Sequence, residues 1–221
     1  MNGIPKSAGG AAVALALLLG ACGSNPPPPD WQMDAQGALA RFTEAYLGGN
    51  ARVEAAEYAR ARQAIASTGK AALMARAELT RCAAQVASLV LAPCDGFEAL
   101  RADAPAAERA YADYLAGRLA PADAALLPAA QRAVAAGAAD GGALKAIADP
   151  LSRLVAAGVL FRTGKASPEV IATATETASD QGWRRPLLAW LGVQLQRAEA
   201  AGASDEAARL RRRMALVTQE R

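Results

Sequence analysis

Residues 149–182 read DPLSRLVAAGVLFRTGKASPEVIATATETASDQG, and this stretch decides the fold class. Asp149-Pro150 and Ser167-Pro168 each set a capping side chain directly before a proline. An Asp or Ser oxygen at that position accepts from an otherwise orphaned backbone N–H, and proline at the first helical position gives up an N–H that has no helical partner anyway. Gly164 and Gly182 then supply the stops, since glycine adopts the left-handed conformation that ends a helix. The stretch predicts two consecutive helices joined by a tight turn. The chain as a whole shows a near absence of the Val/Ile/Thr alternation that strands carry.

The same grammar extends in both directions. Hydrophobic residues make up 53% of the chain, but alanine dominates them and aromatics reach only 5%, a composition that favours helix over sheet. A first helix from about Asp30 places Trp31, Ala35, Ala38, Phe42 and Ala45 on one face and stops near Gly48-Gly49-Asn50. A second runs from about Arg52 to Ser67 with Ala55, Tyr58, Ala61 and Ile65 inward, and a third from Lys70 to about Leu89. A short helix near Phe97 precedes one from Pro105 to Ala116, and Pro121 opens another that Pro128 kinks before Gly137. Beyond the quoted stretch, a helix from Pro186 carries Leu188, Leu191, Leu195 and Ala198, and Ser204 caps a last one facing inward with Ala207, Leu210, Met214 and Val217.

The expected architecture is all-α: an array of antiparallel α-hairpins forming a single domain over residues 30–221, with one disulfide. Gly49, Tyr58 and Ala61 are spaced like the turn glycine and second-helix packing positions of a tetratricopeptide hairpin, and Gly202 and Ala207 repeat part of that spacing. Arg41-Tyr46-Leu47-Gly49 also recurs as Arg109-Tyr114-Leu115-Gly117. A tetratricopeptide-like array and an irregular helical bundle both fit this pattern.

At the N-terminus, Lys6 and an apolar run from Ala8 to Gly20 lead into Leu19-Gly20-Ala21-Cys22. The run is far shorter than the roughly 20 residues that span a bilayer, so it reads as a processed signal. The stretch resembles the lipobox of bacterial lipoproteins. The resemblance implies that residues 1–21 are removed and that Cys22 becomes the acylated N-terminus. Gly23 stands where lipoproteins retained in the inner membrane typically carry Asp, so the class implies an outer-membrane, periplasm-facing location. Residues 22–29 then form a tether stiffened by Pro26 to Pro29. From Asp30-Trp31-Gln32-Met33 onward the body resembles uncharacterised putative lipoproteins of Gram-negative bacteria, a likeness that implies no activity.

Once Cys22 carries lipid, Cys82 and Cys94 remain as an even pair in an oxidising compartment. A disulfide is the natural reading, with two buried thiols as its alternative. Cys82 lies on a helical stripe with Ala75, Leu79, Val86 and Leu89, whereas Cys94 follows Pro93 in a turn. A helix unbroken to Leu91 would carry the chain roughly 14 Å from Cys82, more than the three following residues recover. A bridge therefore requires the helix to end near Ser88 or Leu89. Two thiols and no histidine leave a zinc site short of ligands, and no cofactor is expected.

Net charge is +3, too small to indicate nucleic acid, and the expected location excludes it as a partner. The charge is uneven, because eight basic residues face four acidic ones from Gln181 to the end. Within this tail Arg209, Arg212 and Arg213 cluster on the last helix as a candidate contact for an anionic envelope component, while Arg211 points elsewhere. Solvation of the helix and its C-terminal dipole accounts for the same residues.

Motifs for catalysis are poor. Ser67-Thr68-Gly69-Lys70 imitates the S-x-x-K of penicillin-recognising serine enzymes, and Arg162-Thr163-Gly164 their K-T-G, but Ser179-Asp180-Gln181 follows in the wrong order. Gly158 to Lys165 is one residue too long for a phosphate loop and follows a helix. The chain has no histidine, which removes the usual activator of Ser or Cys nucleophiles. Carboxylate chemistry is left, with Glu54, Glu57, Glu78, Glu98 and Glu108 as candidates by residue type alone. The expected function is thus a non-enzymatic one: an outer-membrane-anchored helical module that binds a protein partner in the envelope. The alternative is a peptidoglycan-acting hydrolase using carboxylates.

Overall fold

A computed structural model describes residues 27–218 of the chain. The expected signal segment 1–21, Cys22 and the start of the expected tether lie outside the described residues, as do residues 219–221. Eleven α-helices follow in order: α1 (Asp30–Gly48), α2 (Ala51–Ala66), α3 (Ala71–Ala87), α4 (Asp95–Glu98), α5 (Ala106–Leu115), α6 (Ala129–Ala135), α7 (Gly141–Lys145), α8 (Pro150–Arg162), α9 (Pro168–Asp180), α10 (Arg184–Ala200) and α11 (Ser204–Thr218). Short 3-10 turns at Arg101–Asp103 and Pro121–Leu126 complete the described chain, which contains no strand. The all-α expectation holds.

Both helix starts of the opening stretch form as anticipated. The Asp149 carboxylate accepts the Ser152 N–H at 2.7 Å, and the Ser167 hydroxyl accepts that of Val170 at 3.2 Å. Elsewhere tertiary packing shifts the boundaries. Pro128 breaks the expected helix after Pro121 instead of kinking it, because the residue before a proline is driven out of the α region: Leu127 has ψ 155°. Conversely, α10 begins at Arg184, two residues before Pro186, since a first-turn residue needs no N–H partner. Ser204 is the first residue of α11 and not its cap. Ala55, expected inward, is exposed.

Cys82 and Cys94 form the disulfide, with Cα atoms 5.9 Å apart. α3 stops at Ala87, and Leu89 adopts the left-handed conformation (φ 58°), which turns the chain back as the bridge requires.

The repeated string has one structural meaning in both places. Tyr46 and Leu47, like Tyr114 and Leu115, are buried at a helix end, and Gly49 (φ 83°) and Gly117 (φ 71°) close it. Asn50 N–H bonds to Ala45 O and Arg118 N–H to Asp113 O, the wider of the two bonds that end a helix on glycine.

α1 and α2 form an antiparallel hairpin, and α8, α9, α10 and α11 pack in succession. The two groups are joined across long stretches of sequence, with α3 lying against α8 and α1 touching α10. At the α3–α8 crossing a Cβ on Gly158 would overlap the Val86 carbonyl oxygen, so only glycine permits this approach. Trp190, fully buried, donates its indole N–H to Ala87 O at 3.1 Å and meets Phe161 edge-on at 5.8 Å. This docking turns α10 so that Leu187, Trp190 and Leu191 are buried, while Leu188 and Leu195 are only half-buried.

Candidate functional site: a groove between α3, α5 and α8

The short elements between α5 and α8 do not cover α3 completely. They leave a groove of about 520 Å³, within the range of small-molecule and peptide-side-chain sites. Leu79 and Ala83 of α3 and Val155 of α8 line it together with Leu127, and Tyr111 of α5 contributes a ring. Leu126, 42% exposed, sits beside Pro128 among the lining residues.

A polar strut holds these walls in place. The Tyr114 hydroxyl donates to Gln131 Oε1 at 2.8 Å, and Gln131 Nε2 donates to Ser152 O at 3.0 Å, tying α5 to α6 and α6 to α8. Gln131 is almost wholly buried, so both bonds act without competition from water. Tyr111 stacks near Tyr114, with ring centroids 6.2 Å apart. Burial, assisted by the charge of Asp149, pushes its phenol well above the ordinary tyrosine range, so it is protonated at neutral pH.

The charged groups lining the groove already have partners. Glu108 receives Arg76 Nε at 3.1 Å, and Asp149 caps α8. The other candidate glutamates are similarly held. Glu54 pairs with Arg185 at 2.8 Å, Glu57 with Arg41 at 2.9 Å, Glu78 with Arg62 and Arg81, and Glu98 with Arg101 at 2.6 Å. Arg41 and Arg101 respectively hold the Glu57 and Glu98 carboxyls below the usual carboxylate range. An acid that donates a proton near neutral pH needs the opposite shift. In the S-x-x-K imitation, the Ser67 hydroxyl donates to Ala64 O at 2.8 Å, which makes it part of a helix-ending turn.

The arginine cluster of the last helix is dispersed among internal partners. Arg209 pairs with Glu206 at 2.7 Å, Arg211 with Glu199, and Arg213 donates to Ser179 at 3.1 Å on α9. Arg212 is exposed and has no ion-pair partner among the described residues. A second groove of about 560 Å³ runs between α9, α10 and α11, and Arg197, Arg209, Arg213, Glu176 and Glu206 line it.

Sequence reasoning did not find the apolar groove. Its only local signal is the pair Leu126-Leu127 placed directly before Pro128 in a segment with little regular structure. Among the described residues no group of three or more His, Cys, Asp or Glu side chains is arranged to hold a metal, and no helix is long and apolar enough to cross a membrane. The chain matches no family model, no curated protein and no solved structure.

Proposed function

We propose that this protein is a lipid-anchored binding module on the periplasmic face of the outer membrane, which holds an apolar segment of an envelope protein in the α3–α5–α8 groove. The groove itself carries the reading. Its surface is mainly aliphatic, its frame is braced by the buried Tyr114–Gln131–Ser152 strut, and its carboxylates are occupied by an arginine and a helix start. Apolar side chains of a partner gain about 25 cal/mol per Å² by leaving water for such a surface. The lipobox and the disulfide support the location, since a cysteine pair is bridged where the compartment oxidises.

A photo-crosslinking residue at Leu126 should give a discrete adduct in envelopes, one at exposed Ala55 should not, and Ala83→Trp, which fills the groove, should abolish the first. Equal adducts at both positions would end the groove reading. Metabolic labelling with a fatty-acid analogue tests the anchor: wild type should incorporate it and Cys22→Ser should not.

A further inference from the structure

The chain enters the body at one end, where the start of α1, the end of α2 and the start of α3 meet. Trp31 stands one residue past the first residue of α1, half-buried, with the Lys70 ammonium 5.9 Å from its ring centroid. Met33, on the same turn, is 48% exposed, a large value for an apolar side chain on a helix that otherwise packs well. Arg60 lies across a shallow surface depression from Trp31, bounded also by Asp34 and Gln63. An indole with one polar edge and the Lys70 ammonium over its ring, together with an exposed thioether on another side of the same first helical turn, form a set that favours a lipid headgroup layer at this end of the body. The indole and the thioether take the apolar side of the interface, and Lys70 reaches the phosphates, while Arg60 also pairs with Glu57 at 3.9 Å.

We propose that this end of the body, and not the arginine-rich last helix, rests in the headgroup layer of the membrane that holds the Cys22 acyl chains. The proposal builds on the lipid-anchored reading. Cys22 precedes Asp30 by eight residues, a reach of at most about 28 Å, so the acyl chains deliver this end to the surface first. The far end is remote. α1 has 19 residues, about 28 Å of helix, and at its far end Tyr46 carries Arg185 4.0 Å from its ring centroid. The neighbouring Arg184 in turn donates to Val217 O at the end of α11. Leu216, 69% exposed, thus marks the opposite pole.

Asp30 and Asp34 share the first turns with Trp31, so the basic charge of Lys70 and Arg60 is offset locally. Contact therefore rests on Trp31 and Met33 and persists in high salt, unlike an electrostatic contact made by α11.

The test uses the full acylated chain in vesicles of phosphatidylethanolamine and phosphatidylglycerol, spin-labelled at Met33→Cys or, separately, Leu216→Cys. The label at 33 should be more accessible to dissolved oxygen than to a water-soluble relaxant, at low and high salt alike, and the label at 216 should show the reverse. Trp31→Ser should erase the preference at 33 without changing acylation. An acylated chain with both positions equally open to water overturns the proposal and leaves the anchor intact; a membrane signal at 216 alone assigns the contact to α11 instead. A chain that takes no label at Cys22 overturns both readings.

Discussion

The two grooves are almost equal in volume, about 520 and 560 Å³, yet one is mainly apolar and the other mixes polar and apolar surface about equally. The one between α3, α5 and α8 is mostly aliphatic and is framed by segments far apart in sequence. The one between α9, α10 and α11 is built from consecutive helices and sets charged side chains such as Arg197, Arg209 and Glu206 among apolar ones such as Ile171 and Leu210. A basic stretch of sequence need not leave its arginines without partners, even where they stay exposed. Arg209 and Arg211 are turned to Glu206 and Glu199 and Arg213 to Ser179, so these arginines of the last helix each take a separate local partner, while the excess positive charge of the C-terminal region remains. An apolar opening, by contrast, survives where short helices cannot close over α3.

The largest expected effect lies beneath the first groove. Gly158→Ala forces α8 away from the Val86 backbone, and overpacking at backbone contact should cost about 3 kcal/mol or more. Urea unfolding would show it as a lower midpoint; an unchanged midpoint would mean that the α3–α8 crossing is looser than described. Replacing Cys82 and Cys94 together by Ala should cost about 3 kcal/mol, because the bridge staples the end of α3, which forms one wall of the same groove. Thermal unfolding of oxidised and reduced protein measures this directly.

Tyr114→Phe leaves the buried Gln131 Oε1 without its donor, a loss of about 1 to 3 kcal/mol. It should also loosen the groove, so hydrogen exchange should quicken in α6 while α11 is unaffected; a uniform change across both regions would erase the distinction drawn between them. In the second region the effects shrink and change sign. Gly192 is a helix-interior glycine of α10 with open space where a Cβ would sit, so Gly192→Ala should stabilise by up to about 1 kcal/mol. Smallest of all, Arg209→Gln removes an exposed pair with Glu206 and should shift the urea midpoint by no more than the scatter between repeat measurements. A loss several times larger would show that the charged groove has a structural role after all.

Helix existence and most caps and stops were legible along the chain because they depend on neighbours within a turn or two, and the cysteine pairing because only Cys82 and Cys94 remain once Cys22 is set aside. Asp149, Ser167, Gly49 and Gly117 act on backbone groups only a few residues away, and the end of α3 follows from what a Cys82–Cys94 bridge allows. The candidate site was not legible: Leu79, Tyr111, Leu127 and Val155 line one groove only after α3 has met α8. No local pattern records that meeting, although Gly158 makes it possible. The inward face of α10 was set in the same way by Trp190 docking on Ala87 and Phe161, and the arginines of α11 acquired their roles from Glu199 and Ser179 on other helices. Local hydrogen bonding and backbone geometry are properties of the sequence by itself. Which surfaces remain open, and which charges remain unpaired, depends on distances between residues that only packing brings together.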